Sequence, residues 1–211
     1  MQRLILAILG VLAVAVLAIF VIVLLPEQAL KNSALTPIPE SIAEPVITFI
    51  DPIRGKEDAS VTLVEYGDYT CPLCQTLEPD LQTLIAEAPG RRRLVWKDAP
   101  NVGLHPEAFT AAMAARCAQD QESFWAYHDQ LMADRSVPNA ERLSAIAQQI
   151  GLDATAFENC MASEITRPVV QHTLDEAFAL GIESTPLFFL NGIRYSGPLT
   201  LEGFRKTIQE L

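Results

Sequence analysis

The chain has 211 residues, which is enough for one domain of ordinary size and a shorter additional segment. Its 26 acidic residues outnumber its 15 basic ones and give a net charge of −11. A domain this acidic has no electrostatic attraction to a phosphate backbone, which excludes nucleic acid from the expected partners.

The first predicted element is a run of 22 apolar residues, Leu4 to Leu25. As a helix it would be about 33 Å long, sufficient to cross a bilayer core of about 30 Å. Arg3 is the only charged residue before it, so the positive-inside rule places the N-terminus in the cytoplasm. We therefore expect residues 1–25 to be a transmembrane signal anchor in the inner (cytoplasmic) membrane, with the rest of the chain in the periplasm or a comparable extracytoplasmic space.

A cleaved signal peptide is the alternative for this segment. Its apolar region is normally about 7 to 15 residues long and ends at a small-x-small cleavage site. Here the run is longer, and Pro26, Glu27 and Gln28 follow it, which favours the anchor.

Residues 26–58 are predicted to be a proline-rich tether that ends in a lead-in strand. Spaced prolines among polar residues favour extended conformations, and the tether contains five of them, at positions 26, 37, 39, 45 and 52. Val46 to Ile50 predicts the lead-in strand. The folded domain is expected to occupy residues 59–211.

The next stretch has the pattern of one βαβ unit. Val61 to Tyr66 predicts a buried strand, and Cys71 to Ala88 predicts a helix that ends before Pro89-Gly90. Arg93 to Lys97 predicts the second strand. A strand, a helix and a strand within about 37 residues is the size of a βαβ unit.

A helical block and a ββα unit follow. From about residue 104 to residue 180, apolar residues recur at spacings of three and four, which predicts helices. Leu187 to Leu190 and Ile193 to Ser196 predict two strands joined by a hairpin turn at Asn191-Gly192, and Leu201 to Leu211 predicts a closing helix. This order predicts an α/β sheet of four to five strands, interrupted by a helical insertion.

The sequence Cys71-Pro72-Leu73-Cys74 lies at the predicted junction between strand and helix. A thiolate at a helix N-terminus is stabilised by free N–H groups and by the helix dipole, which predicts that Cys71 is a nucleophile of lowered pKa. Pro72 suits the first helical turn, where no N–H donor is needed. Cys74 lies one turn inward and is predicted to be the resolving thiol of a redox-active disulfide.

Metal binding and a purely structural disulfide are the alternatives for this pair. A structural zinc site needs four ligands, and the other two cysteines and the three histidines are not spaced to supply them. A copper carrier would add a nearby Met or His, which this stretch lacks. A disulfide between residues three apart closes too small a loop to stabilise the fold much. We therefore expect no metal and no cofactor apart from the redox-active disulfide.

The chain resembles a known family at these residues. CPLC after a strand, Pro79 eight residues beyond Cys71, and GIESTPLFFLNG near the C-terminus are similar to the thioredoxin fold. The helical block makes the chain similar to the DsbA-like thiol:disulfide oxidoreductases over about residues 45–211. The resemblance implies a thioredoxin fold (βαβ and ββα) with an inserted helical subdomain, to which the sequence adds one N-terminal transmembrane helix.

The resemblance also implies roles for individual residues. Cys71 would be the nucleophile and Cys74 the resolving thiol, and the loop of Thr185 and cis-Pro186 would pack against the disulfide and hold the substrate backbone. The family's buried acid falls on Glu65. A carboxyl group beneath the cysteines can relay the proton of Cys74, whereas the alternative for Glu65 is a strand residue that faces solvent.

Pro72 and Leu73 are expected to modulate the site. Strong oxidases of this family carry a His between the cysteines, and Leu73 cannot stabilise a thiolate in that way. We expect a reduction potential between about −270 and −120 mV and, as the main activity, disulfide formation in protein thiols with a membrane redox partner. A reductase or isomerase, and a non-catalytic metal carrier or assembly factor, are the alternatives.

Cys117 and Cys160 both lie in the helical block. In an oxidising compartment a structural disulfide between them is favoured over two buried thiols. Closing a loop of about 43 residues could add about 4 kcal/mol to the free energy of unfolding. Two other residues are predicted to be polar surface positions: Lys97 at the end of its strand, and His128 on the polar face of its helix. The alternative for Lys97 is an approach to the active site.

Overall fold

The computed structural model describes residues 42–211. The predicted signal anchor at 1–25 and residues 26–41 of the predicted tether lie outside the described residues. Between residues 42 and 211, no helix combines the length and the apolar character that a membrane span requires.

The described chain is built on one five-stranded sheet with the strand order β1-β3-β2-β4-β5. Its strands are Ile53–Gly55 (β1), Val61–Gly67 (β2), Arg92–Asp98 (β3), Leu187–Leu190 (β4) and Ile193–Arg194 (β5). β2 and β3 are parallel, and the other three pairs are antiparallel. The parallel pair requires a crossover, which a helix supplies.

Seven helices accompany the sheet in the described part of the chain. They are Pro72–Ala86 (α1), Ala108–Gln119 (α2), Phe124–Ala133 (α3), Ala140–Gln149 (α4), Ala154–Ser163 (α5), Arg167–Ala179 (α6) and Leu201–Gln209 (α7). α1 is the crossover between β2 and β3, and α2 to α6 form the insertion between β3 and β4. The predicted mixed α/β fold with a helical insertion is confirmed.

The predicted lead-in strand at Val46 to Ile50 is wrong, because the first strand is Ile53–Gly55. The backbone of this earlier stretch bonds to side chains rather than to a strand. The amide of Val46 donates to Glu176 at 2.7 Å, and the carbonyl oxygen of Ile50 accepts from the side chains of Arg116 and Gln119, each at 2.9 Å. Because the amide of Val46 and the carbonyl oxygen of Ile50 already have side-chain partners, these backbone groups do not pair with a neighbouring strand.

Side chains alternate between the two faces of the sheet. On one face, apolar residues of three strands pack with α1 and α7, and this cluster includes Leu63, Leu94, Phe188, Leu81 and Phe204. On the other face, Val64, Val95 and Phe189 pack with Ala177 of α6. Glu65, two positions after Leu63, therefore points to the α1 side of the sheet.

Lys97 lies on the α6 side, and the prediction that it is exposed is wrong. Its side chain is 1% exposed, and its ammonium group lies 2.8 Å from Asp51 and 2.9 Å from Glu176. It also donates to the carbonyl oxygen of Val46 at 2.7 Å. A buried lysine needs such partners, and these come from the lead-in segment and from α6.

Candidate active site

The two cysteines predicted to be reactive lie where β2 passes into α1. Cys71 is the N-cap residue of α1, and its Sγ accepts a hydrogen bond from the amide of Cys74 at 3.5 Å. The preceding loop is fixed by Asp68, which accepts hydrogen bonds from the amides of Thr70 and Asn101, each at 2.8 Å. Both cysteines are free thiols in this structure, Cys71 partly exposed and Cys74 buried. The exposed sulfur is therefore the one a partner can reach.

The two thiols differ strongly in acidity. The side chain of Cys74 donates a hydrogen bond that lowers the pKa of Cys71. Burial acts against this effect, and hydrogen bonds from the Cys74 amide and from the side chain of Thr185 add to it. The resulting pKa of Cys71 is about 6. Burial, followed by the hydrogen bond to Cys71, raises the pKa of Cys74 well above its ordinary value. At neutral pH the pair holds an attacking thiolate beside a protonated thiol.

Thr185 and Pro186 approach the same sulfur from a distant part of the sequence. The peptide bond between them is cis, and it directly precedes β4. The thiol of Cys71 donates to the carbonyl oxygen of Thr185 at 3.4 Å. Pro186 is buried, whereas Pro72 and Leu73 are exposed beside Cys71. Cys71, Pro72 and Leu73 are therefore accessible together, and Thr185 is partly exposed beside the same sulfur.

Glu65 lies on the α1 side of the sheet, opposite Trp96 in the parallel register. Its side chain is fully buried, and neither carboxylate oxygen has a hydrogen-bond partner among the described residues. Burial raises its pKa well above the ordinary value, and the negative charges of Glu78 and Cys71 add to this effect. The alternative of a solvent-facing strand residue is therefore wrong, and Glu65 is a buried acid beside the thiols.

Glu78, Arg54 and His128 complete the interior of the site, and none of the three is predicted from the sequence to belong to it. Glu78, one turn after Cys74 in α1, has one oxygen 3.2 Å from Nε2 of His128 and the other 3.5 Å from the guanidinium group of Arg54. The spacing of four from Cys74 is a signal that could have identified Glu78, since it places both residues on one helix face.

His128 is fully buried, so the prediction that it lies on a polar face is wrong. Its Nδ1 lies 3.1 Å from the hydroxyl group of Tyr69, and its ring contacts several aromatic rings, those of Tyr69, Trp96, Phe124 and Trp125. Tyr69 therefore supplies a hydrogen-bond partner at Nδ1, and the Glu78 carboxylate lies 3.2 Å from Nε2.

Among residues 42–211, one group of side chains has the composition of a metal site: Glu78, His128 and Asp129, whose ligand atoms lie within 4.8 Å of one another. Arg54 contacts both carboxylates of this group. Its guanidinium group supplies the positive charge that a metal ion would otherwise bring.

Cys117 and Cys160 are joined by a disulfide that links α2 to α5 across 43 residues. Cys117 is buried in the core of the helical insertion. This bond is separate from the pair formed by Cys71 and Cys74.

Comparison with known families and structures agrees with this geometry. A family model described as thioredoxin matches residues 49–210. The thioredoxin-like oxidoreductase from Silicibacter pomeroyi DSS-3 superposes with a TM-score of 0.69 at 26% identity, over 77% of this chain and 92% of that one.

Two further solved structures have the same fold. BdbD from Bacillus subtilis has a TM-score of 0.70 at 23% identity, over 81% of this chain and 96% of its own. The thiol-disulfide exchange protein alpha-DsbA2 from Wolbachia pipientis has a TM-score of 0.68 at 23% identity, over 77% and 87%.

Curated relatives include much longer proteins. The chain is 33% identical over 183 residues to a Na(+)/H(+) antiporter NhaA of Salinispora arenicola, and 34% identical over 158 residues to one of Salinispora tropica. It covers 28% and 24% of the length of these antiporters.

The family model covers most of the described residues, and the described site contains a stabilised thiolate beside a resolving thiol. The chain therefore belongs to the thioredoxin family.

Proposed function

We propose that the protein is a membrane-anchored, extracytoplasmic oxidase of the DsbA type, which transfers a Cys71–Cys74 disulfide to the thiols of other proteins. The observation that carries this proposal is the thiolate of Cys71, with its pKa lowered to about 6. Stabilising that thiolate favours the reduced form of the pair, and a pair whose reduced form is favoured acts as an oxidant.

Oxidation of a substrate takes two exchange steps. A substrate thiolate attacks Sγ of Cys71, the bond to Cys74 breaks, and its electron pair passes to the sulfur of Cys74, which takes up a proton. A second substrate thiolate then attacks the substrate sulfur of the mixed disulfide, and Cys71 leaves as a thiolate. The hydrogen bond from the Cys74 amide at 3.5 Å stabilises this leaving group.

Glu65 is the proposed proton donor and acceptor for Cys74. Cys74 is fully buried, so its sulfur is not in direct contact with bulk water, from which it could take up a proton. The negative charge of Glu65 is among the causes that raise the pKa of Cys74, which puts the carboxyl group within electrostatic reach of that sulfur. A carboxyl group of raised pKa can hold a proton at neutral pH and release it to the departing sulfur.

We assign the contact with the substrate chain to Thr185 and Pro186. A groove of about 210 Å³ begins at Thr185 and is lined mainly by apolar side chains of residues 99–103 and of α6. An extended substrate segment with apolar residues next to its cysteine would fit this groove. Pro72 and Leu73 lie on the exposed side of the same sulfur and would modulate the exchange.

The proposed location rests on the apolar run at residues 4–25 with Arg3 before it. The disulfide between Cys117 and Cys160 supports an oxidising compartment, because thiols persist as disulfides mainly outside the cytoplasm. A redox partner in the same membrane would accept electrons from the reduced pair and restore its disulfide.

A reductase or isomerase that runs in the opposite direction is the second candidate. The pKa of Cys71, about 6, lies closer to the value of about 7 in thioredoxin than to the value of about 3.5 in DsbA. Leu73 offers the thiolate no hydrogen bond and no charge. Both observations favour a weaker oxidant than DsbA.

Refolding of a reduced, unfolded ribonuclease tests the proposal. The oxidised full-length protein in detergent should restore ribonuclease activity, and Cys71→Ser should abolish this. A Cys117→Ser/Cys160→Ser double variant is the matched control and should retain it. Faster turnover in insulin reduction than in ribonuclease oxidation would support the reductase instead, and full activity of Cys71→Ser would overturn the mechanism.

A further inference from the structure

Two carboxylic acids lie beneath the cysteine pair, and their surroundings push them toward opposite charge states. Glu65 is buried without a hydrogen-bond partner among the described residues, and its pKa is raised by burial and by the charge of Glu78. Burial also acts to raise the pKa of Glu78, but His128 and Arg54 outweigh it and bring the pKa below its ordinary value. Two acids separated in this way take different roles in proton transfer.

Glu78 is held in place on both sides. Its Oε1 accepts a hydrogen bond from Gln82 at 3.1 Å and lies 3.5 Å from Arg54, while its Oε2 lies 3.2 Å from Nε2 of His128. Arg54 is fixed in turn by an ion pair with Asp129 and by the face of Trp125, 4.3 Å from the guanidinium carbon. The negative charge of Glu78 therefore has a defined position.

The charged and titratable groups around Glu65 come from each element packed against it. α1 and its N-cap contribute Cys71, Cys74 and Glu78, and β1 contributes Arg54. One contact further out, His128 of α3 lies against Glu78, and the hydroxyl group of Tyr69 lies against His128. β3 contributes Trp96, whose indole N–H donates to Asp98 at 2.7 Å. Asp98 is also paired with Arg116 at 2.6 Å, so that its charge is compensated. In the oxidised protein Cys71 carries no charge, so the remaining charges that act on Glu65 are the negative charge of Glu78 and the positive charge of Arg54.

We propose that Glu78, clasped by Arg54 and His128, is a positioning residue that keeps a proton on Glu65 until the sulfur of Cys74 needs it. When the disulfide is reduced, the S–S electron pair goes to Cys74, and the proton passes from Glu65 to that sulfur. When Cys74 later attacks a mixed disulfide at Cys71, the proton returns from the Cys74 thiol to Glu65. The proposal rests on thiol-disulfide exchange but not on its direction.

The two neighbours of Glu65 have opposite charges, so their removal should have opposite effects. Glu78→Gln removes a negative charge and should lower the pH at which Glu65 titrates by about one unit or more. Arg54→Gln removes a positive charge and should raise that pH. If Glu78 and Arg54 had only a structural role, both variants would lose packing, and the shifts in the titration midpoint of Glu65 would not have opposite signs.

The titration of Glu65 can be followed by carboxyl-carbon NMR of the oxidised full-length protein labelled at glutamate, with the signal assigned by its absence in Glu65→Gln. Glu87→Gln is the matched control, because Glu87 is partly exposed at the far end of α1 and pairs with Arg92 and Arg205. This control should leave the midpoint unmoved. The pH profile of the reaction of Cys74 with a mixed disulfide at Cys71 should move in the same direction as the titration.

Shifts of the same sign in Glu78→Gln and Arg54→Gln, or no shift in either, would overturn the proposal. If Glu78→Gln does not fold, the upward shift in Arg54→Gln still decides it, since that side chain is 18% exposed and lies at the margin of the core. The titration needs no substrate. A wild-type protein without exchange activity would refute the proposed function while leaving the titration measurable.

Discussion

The sulfur of Cys71 lies 3.4 Å from the carbonyl oxygen of Thr185, a residue 114 positions away in the sequence. This contact joins the N-terminal βαβ unit to the ββα unit, with the whole helical insertion between them in the chain. The Thr185 carbonyl group lies just before β4 and faces the start of α1. The loop of Thr185 and Pro186 therefore borders the sulfur of Cys71.

The acidity of Cys71 predicts how the reduced protein reacts with an alkylating reagent. The rate of modification by iodoacetamide should rise through a midpoint near pH 6 and change little above pH 7, because the pKa of Cys71 is lowered to about 6. Cys74→Ala removes the thiol hydrogen bond, the first cause of that lowering, and should move the midpoint toward the ordinary value of about 9. Equal midpoints in the two proteins would contradict this account of the thiolate.

The same shift predicts how the stability of the reduced protein depends on pH. A group whose pKa is lower in the folded state stabilises that state above its unfolded pKa, and this stabilisation is lost as pH falls through the folded pKa. For Cys71 the window runs from about pH 9 down to about pH 6. Chemical denaturation of the reduced protein, compared with Cys71→Ser, should show a difference that shrinks from pH 9 to pH 6. A stability difference that grows as the pH falls would contradict a lowered pKa of Cys71 in the folded state.

Because Glu65 is a buried acid, its replacement by an apolar side chain is predicted to raise stability and to lower activity. Replacing a buried acid that lacks a hydrogen-bond partner by a side chain of similar volume should stabilise the fold by about 1–3 kcal/mol. Loss of the proton donor should slow reduction of the disulfide by about 10²-fold at neutral pH. Glu65→Leu should therefore unfold at higher denaturant concentration and exchange more slowly in stopped-flow measurements. A variant that is both less stable and fully active would refute both roles.

Gly67 predicts a steric requirement at the end of β2. A Cβ atom at this position would lie 2.3 and 2.4 Å from two ring carbons of Trp96 and 3.2 Å from Oε1 of Glu65. The indole is fully buried and bonded to Asp98, so it has little room to move. Gly67→Ala should cost about 1–3 kcal/mol through overpacking, measured by urea unfolding. Gly103→Ala, where the nearest atom to an added Cβ would lie at 3.5 Å, is the matched control and should cost much less.

The disulfide between Cys117 and Cys160 predicts an effect on stability without an effect on the thiolate. Closing a loop of 43 residues contributes about 4 kcal/mol in the chain-entropy description, so Cys117→Ser/Cys160→Ser should lose stability of that order. The alkylation midpoint of Cys71 should stay near pH 6. A displaced midpoint would mean that the second disulfide also supports the active site.

The order of elements and the reactive pair could be predicted because their signals are local. A run rich in β-forming residues predicts β2 as a buried strand, and Pro72 in the first turn marks the start of α1 with Cys71 as its N-cap. The turn at Asn191-Gly192 likewise defines the hairpin of β4 and β5, and both residues have positive φ. Each of these features depends on residues within a few positions of one another.

The buried charges could not be predicted, because their partners are distant in sequence. Lys97 is paired with Glu176, 79 positions away, and Tyr69 reaches His128 across 59 positions. A lysine at the end of a strand is exposed in the absence of such partners, and only the packed tertiary structure supplies them. The first strand was misplaced for the same reason, since distant side chains bind the backbone of residues 46–50.

The reduction potential of the Cys71–Cys74 pair tests the central claim most directly. The full-length protein is equilibrated with glutathione buffers, and the two redox forms are separated after alkylation, with Cys71→Ser as the blank. A thiolate of pKa about 6 predicts a potential between about −250 and −120 mV, more oxidising than the value of about −270 mV for thioredoxin. A potential at or below about −270 mV would contradict the oxidase and leave a reductase on the same fold.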